Sequence, residues 1–153
     1  MTTLSFSRWH RTLHEELPLD DLSGYPLLEA CHRAWAEQGG GEGLPAAIDP
    51  LGLPREALPT VMMLDLEPEP APARLRIRLA GTEVCAKHGG ELKGKTTDDF
   101  FEPDDAAKVV EAALDAARRR QASLARRSYV SLNGRVWRYV RLIMPLSRSG
   151  GAV

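Results

Sequence analysis

Cysteine is nearly missing: two residues, Cys31 and Cys85, in a chain of 153. That excludes a disulfide-stapled scaffold and fits a reducing compartment. An excess of charge of either sign is missing too. The net charge of −1 argues against a basic nucleic-acid binder and against an acidic tail protein. No stretch approaches the ~20 apolar residues that a membrane helix needs. The N-terminal MTTLSFSRWHRTLHEEL also lacks the apolar run of a signal peptide. A cytoplasmic protein with neither membrane nor nucleic acid as partner is expected. Aromatic residues are scarce, at 6%, so any that fall on an outward-looking face are informative. What remains, 43% hydrophobic and 27% charged over 153 residues, describes one globular domain long enough to bury a core. There is no internal repeat.

The plainest local pattern is RLRIRLA, residues 74–80, in which Leu75, Ile77 and Leu79 alternate with Arg74, Arg76 and Arg78 as in a half-buried strand. Gly81-Thr82 ends it, glycine for a sharp turn and threonine to cap a short helix over Glu83–His88. Thr60–Leu66 reads as the preceding strand, joined to it by a proline-punctuated loop. Pro26 opens a helix with Leu27, Leu28, Cys31, Ala34 and Trp35 on its apolar side, and Gly39-Gly40-Gly41 closes it. A longer helix runs from Pro103 to about Arg120, acidic in its first turn and basic in its last, as the helix dipole favours. Ser123–Leu132 and Arg135–Leu146, joined by Asn133-Gly134, form the clearest hairpin. Upstream, Phe6, Trp9, Leu13 and Leu17 fall at helical spacing before Pro18, which predicts an amphipathic helix.

Several short signatures, taken in order, resemble the PAS sensory domains, and among them a stand-alone group common in alphaproteobacteria. They are Ile48-Asp49-Pro50, Leu58-Pro59, Arg78-Leu79-Ala80-Gly81-Thr82, Gly94-Lys95-Thr96-Thr97-Asp98 and Met144-Pro145-Leu146. The resemblance implies an α+β fold, a five-stranded antiparallel sheet with helices on one face. Residues 26–153 would form this PAS-like domain, and residues 1–25 an N-terminal helical extension. A fifth strand is expected after Ser147–Gly151, where only Ala152 and Val153 remain. Either the chain is cut short there or something else completes the sheet.

No set of catalytic groups stands out. Cys85 and His88 have metal-ligand spacing, but Cys31 and His32 point about 100° apart on a helix and could not join them on one ion. No third group orients a cysteine–histidine pair for nucleophilic chemistry. Val84-Cys85-Ala86 lacks the polar surroundings of a flavin-binding cysteine in PAS domains, and His88, beside Gly89-Gly90, makes a poor haem ligand. No cofactor is expected. Arg138 is the residue of interest. Val136, Val140, Leu142, Met144 and Leu146 share its side of the last strand, taken as the side facing the helices. A buried guanidinium needs a partner, either an internal acid such as Asp98 or Asp99, or the carboxylate or phosphate of a ligand. With Met62, Leu64, Leu75, Ile77 and Val140 it would line a ligand pocket. The opposite face, with Trp137, Tyr139 and Ile143, is too aromatic to stand bare in water. Phe6, Trp9 and Leu13 match it, which predicts a homodimer joined through the N-terminal helix and this sheet face.

What the resemblance implies is a non-enzymatic sensory or regulatory module that binds a small molecule or a partner protein and signals by association; Arg138 would make that molecule a small acidic one. The alternative is an interaction scaffold whose pocket is filled by its own side chains. A small enzyme using Cys85, His88 or Arg138 is a third class.

Overall fold

The computed structural model describes residues 13–40, 44, 48–99, 101–130 and 136–147. The chain enters as strand β1 (Leu13–Leu17), turns through a 3-10 segment at Leu19–Gly24 and forms helix α1 (Pro26–Trp35), which continues as a wider turn over Ala36–Gly40. Two 3-10 turns, Pro50–Gly52 and Arg55–Thr60, lead to the antiparallel pair β2 (Met62–Glu67) and β3 (Arg74–Ala80). Helix α2 (Thr82–Lys87), a 3-10 turn at Thr97–Asp99 and helix α3 (Pro103–Arg119) precede strands β4 (Ser123–Val130) and β5 (Val136–Ile143). The α+β class with five antiparallel strands is as expected, but the strands form two sheets, β1-β4-β5 and β2-β3. The fifth strand comes from the front of the chain. Leu13–Leu17 is an edge strand on β4 rather than the end of a helix, while Phe6 and Trp9 lie outside the described residues.

The sequence signatures turn out to be joints. The Asp49 side chain accepts the Leu51 amide at 2.9 Å and caps the Pro50–Gly52 turn. Gly81 is needed for closeness and not for turn geometry. Its φ is −66°, but an added Cβ would lie 2.3 Å from the Pro59 carbonyl oxygen. Thr82 is the first helical residue, and no side chain caps α2. Gly94 has a φ of +87°, where glycine alone is unstrained; its amide donates to Ile77 at 2.8 Å and its carbonyl accepts Arg76 at 2.8 Å. The Gly94–Asp98 motif thereby stitches its loop along the edge of β3, closed by an Arg76–Thr96 bridge and by the Asp99 carboxylate accepting the Thr96 amide at 2.7 Å.

The alternation in β3 holds. Leu75 and Ile77 are buried, and the arginines face outward into local ion pairs: Arg74 with Asp98 at 3.8 Å, Arg76 with Glu67 at 2.6 Å, and Arg78 with Asp65. Glu15, in β1, pairs with Arg126 at 2.7 Å. One apolar cluster joins Cys31, Leu53 and Ala57 to Val61 and Met144, and the Trp35 indole donates to the Pro145 carbonyl at 2.9 Å. A second cluster, Phe101 and Ala106 with Val109 and Trp137, lies beneath α3.

The hairpin register decides which face of β5 is inside. A two-residue Asn133-Gly134 turn would place Val130 opposite Trp137. The observed pairing joins Val130 to Val136 and Arg127 to Tyr139. The turn itself lies outside the described residues.

Candidate functional site

Because side chains directly opposite on paired strands share a face, the register groups His14 and Glu16 of β1, Ala125 and Arg127 of β4, and Trp137, Tyr139, Arg141 and Ile143 of β5. This is the face that meets α3. Trp137 packs against the cluster of Phe101 and Ala106, and its ring stacks on His88 at 5.4 Å between centroids. Trp137 and Ile143 on this side of β5 are therefore half-buried, while Tyr139 keeps 36% of its surface exposed. Trp137, Tyr139 and Ile143 do not form the outer patch expected for a dimer, and Leu13 lies on the opposite face of the sheet, 60% exposed. Arg138 changes place as well. It is exposed, on the outer side with Val136 and Val140, and does not stand at the polar end of a pocket. Nor does it meet the acids proposed for it, since Asp98 pairs with Arg74 and Asp99 with Thr96. Of the expected pocket residues, Leu75 and Ile77 are buried core, Met62 is half-buried and Leu64 remains 44% exposed.

The buried arginine is Arg127, 2% exposed. Its guanidinium carbon sits 5.8 Å from the centre of the Phe101 ring, a cation–π geometry, and one NH group donates to the Tyr139 hydroxyl at 3.4 Å. Arg141 lies alongside. It donates to the Ser123 carbonyl at 3.3 Å and approaches His14 Nε2 at 3.4 Å. Burial lowers the Arg141 pKa, the charge of Arg127 lowers it further, and Glu16 and Tyr139 oppose them. Burial raises the Tyr139 pKa against the pull of both arginines, so its hydroxyl stays protonated. Two guanidiniums in one half-buried region repel and must be balanced by carboxylates. Glu16 supplies one. Asp105, buried in the first turn of α3, is a further acid whose field reaches Tyr139 in this cluster.

Glu16 is held firmly for a strand-edge residue. One carboxylate oxygen lies 3.1 Å from His14 Nε2 and the other accepts the Ser123 hydroxyl at 3.2 Å. Partial burial raises its pKa, but these bonds and the charges of Arg141 and His14 leave it below the ordinary glutamate value. His14 Nε2 thus stands between a donor, Arg141, and an acceptor, Glu16, and can serve only one of them when neutral. A cleft of about 360 Å³ opens here, with His14 and Glu16 on one wall and Lys108, Glu111, Ala112, Asp115 and Arg118 of α3 on the other. A smaller cleft of about 190 Å³ shares Glu16 and Asp115. Neither is lined by Met62, Leu64, Leu75 or Ile77.

Cys85 Sγ approaches the Ala80 carbonyl and Glu91, each at 3.7 Å, while His88, its pKa lowered by burial and by Lys87, faces Trp137. Cys31, its thiol pKa raised by burial, lies in the other cluster. Among the described residues, no group of three or more His, Cys, Asp or Glu could hold a metal ion. Neither Arg127 nor Arg141 was singled out from the sequence. In SLARRSYV each face of the strand carries one arginine, so alternation alone does not say which is buried.

A sequence model of the PAS domain family matches residues 25–153. The chain belongs to the PAS domain family. No curated protein and no solved structure matches it. Membership makes a sensory or regulatory module the general reading, in a family that is generally without catalysis of its own. The match starts at Tyr25, so β1 stands in front of the segment that the PAS model covers, although it forms one wall of the cleft. No helix among the described residues of this PAS domain is long and apolar enough to cross a membrane.

Proposed function

We propose that this PAS domain is a cytoplasmic, non-enzymatic sensor that holds a small acidic molecule at Arg141, with Arg127 behind it, and signals by associating with a partner protein or a second copy of itself. The observation that carries the reading is the pair of arginines beneath α3 beside an open cleft. Arginine is suited to grip a carboxylate with two parallel hydrogen bonds. Arg138, on the exposed outer side, has no part in it.

The scaffold reading has its own support, because Trp137, Phe101 and His88 fill the region beneath the start of α3. Thermal shifts separate the two. A panel of small carboxylic acids and their neutral amides is compared on the wild type, Arg141→Met and Arg138→Met. A sensor of the proposed kind gains thermal stability with one or more acids and not with their amides. The gain is lost in Arg141→Met and kept in Arg138→Met. A wild type indifferent to every acid at millimolar concentration supports the scaffold.

A further inference from the structure

β1 is an odd strand. It lies ahead of the segment matched by the PAS model, it is five residues long, and it sits at the outer edge of its sheet. Short edge strands are the elements that open most readily. Little apolar packing holds this one, since Leu13 is mostly exposed. Its side-chain hold is polar: Glu15 on Arg126 at 2.7 Å, Glu16 on Ser123 at 3.2 Å, and His14 against Arg141 at 3.4 Å.

One of these contacts has the chemistry of a ligand. Glu16 lines the cleft, and its carboxylate meets Ser123 and His14, the same two residues that Arg141 reaches from behind that wall. On the reading above, that is the place and the chemistry of the acidic ligand. Across the cleft Glu111 and Asp115 face Glu16, with Lys108 and Arg118 beside them and Asp115 engaged by Arg119 at 3.1 Å, so that wall carries both signs of charge.

We infer that Glu16 is an internal stand-in for a small carboxylate ligand, and that binding of the ligand displaces β1 from the edge of β4. The inference rests on the acidic-ligand reading. Its consequence is a switch: the ligand takes over the balancing of Arg141, and β4 is left with a free backbone edge that a partner strand can pair with. Ligand affinity and β1 docking then oppose one another, as any two events competing for one site must.

The test uses succinate, with succinamide as the neutral control, on the full chain and on Glu16→Gln, which keeps the side-chain shape and removes the charge. Affinity is read by calorimetry, and β1 docking by amide hydrogen exchange over residues 13–17. The expected result is that succinate speeds exchange of those amides in the wild type, and that Glu16→Gln binds succinate about tenfold more tightly, a coupling of ordinary size. Should Glu16→Gln fold poorly, Ser123→Ala loosens the same carboxylate without altering charge, and should tighten succinate binding in the same direction. Equal affinity in wild type and variant, or succinate binding with unchanged exchange over 13–17, overturns the displacement and leaves the acidic-ligand reading standing. Succinate that binds none of the three proteins overturns the displacement too, and the thermal panel of other acids then decides the wider reading.

Discussion

Three arginines in the last two strands, Arg127, Arg138 and Arg141, are chemically alike and differ only in what surrounds them. Arg127 is enclosed by the Phe101 ring and the Tyr139 hydroxyl, Arg141 is partly enclosed, and Arg138 faces water. Removing a buried charge from its setting leaves the groups around it uncompensated, so Arg127→Ala should cost about 3 kcal/mol. Arg138→Ala should change stability by no more than about 0.5 kcal/mol, as for most exposed positions. Urea unfolding of the two variants checks this, and equal costs would contradict the assignment of faces. The sequence shows why Arg138 looked like the buried one. In β5 both faces are apolar: Val136, Val140 and Leu142 on one, Trp137, Tyr139 and Ile143 on the other. A period of two says that faces exist without saying which is inside. In β3 the arginines occupy one face and the aliphatics the other, and there the buried side could be read directly.

Elements with a strong signal of their own were legible, and those set by a neighbour were not. Helices α1 and α3 began at their prolines, α3 with Asp104 and Asp105 at its start and Arg118 and Arg119 at its end. β1 misled because Leu13 and Leu17 satisfy a helical spacing as well as a strand one, and the free edge of β4 selects the strand. α3 ends on Arg120 in the left-handed conformation, φ 55° and ψ 39°, its amide donating to the Ala117 carbonyl at 3.1 Å. A side chain there is strained, and glycine is the residue that such a helix end favours. Arg120→Gly should therefore stabilise the protein by about 0.5–1 kcal/mol, seen as a higher melting temperature with an unchanged circular dichroism spectrum. A lower melting temperature would mean that the Arg120 side chain makes a contribution larger than its backbone strain.

At the scale of the molecule, the five strands fall into two sheets instead of one, joined through the apolar cluster at Val61 and Met144 and through the helices. The division could not be read from the sequence, since it depends on which edges meet, and the late strand expected after Ser147 falls outside the described residues. With Trp137 packed beneath α3, the association surface is expected on the other side of the sheet. That outer side carries Leu13 at 60% exposure and Val136 at 37%, beside the exposed Arg126 and Arg138. β1 runs antiparallel to β4, and Leu13 stands opposite Ser128 at this end of the sheet. Apolar side chains ringed by arginines have the composition of a protein–protein interface. The full chain is accordingly expected to be a homodimer in solution. Leu13→Glu with Val136→Glu places two carboxylates at the centre of that surface and should give a folded monomer, with mass read by light scattering and folding by circular dichroism. A wild-type chain that is already monomeric at micromolar concentration would remove this face as a self-association surface and leave signalling to a different partner protein.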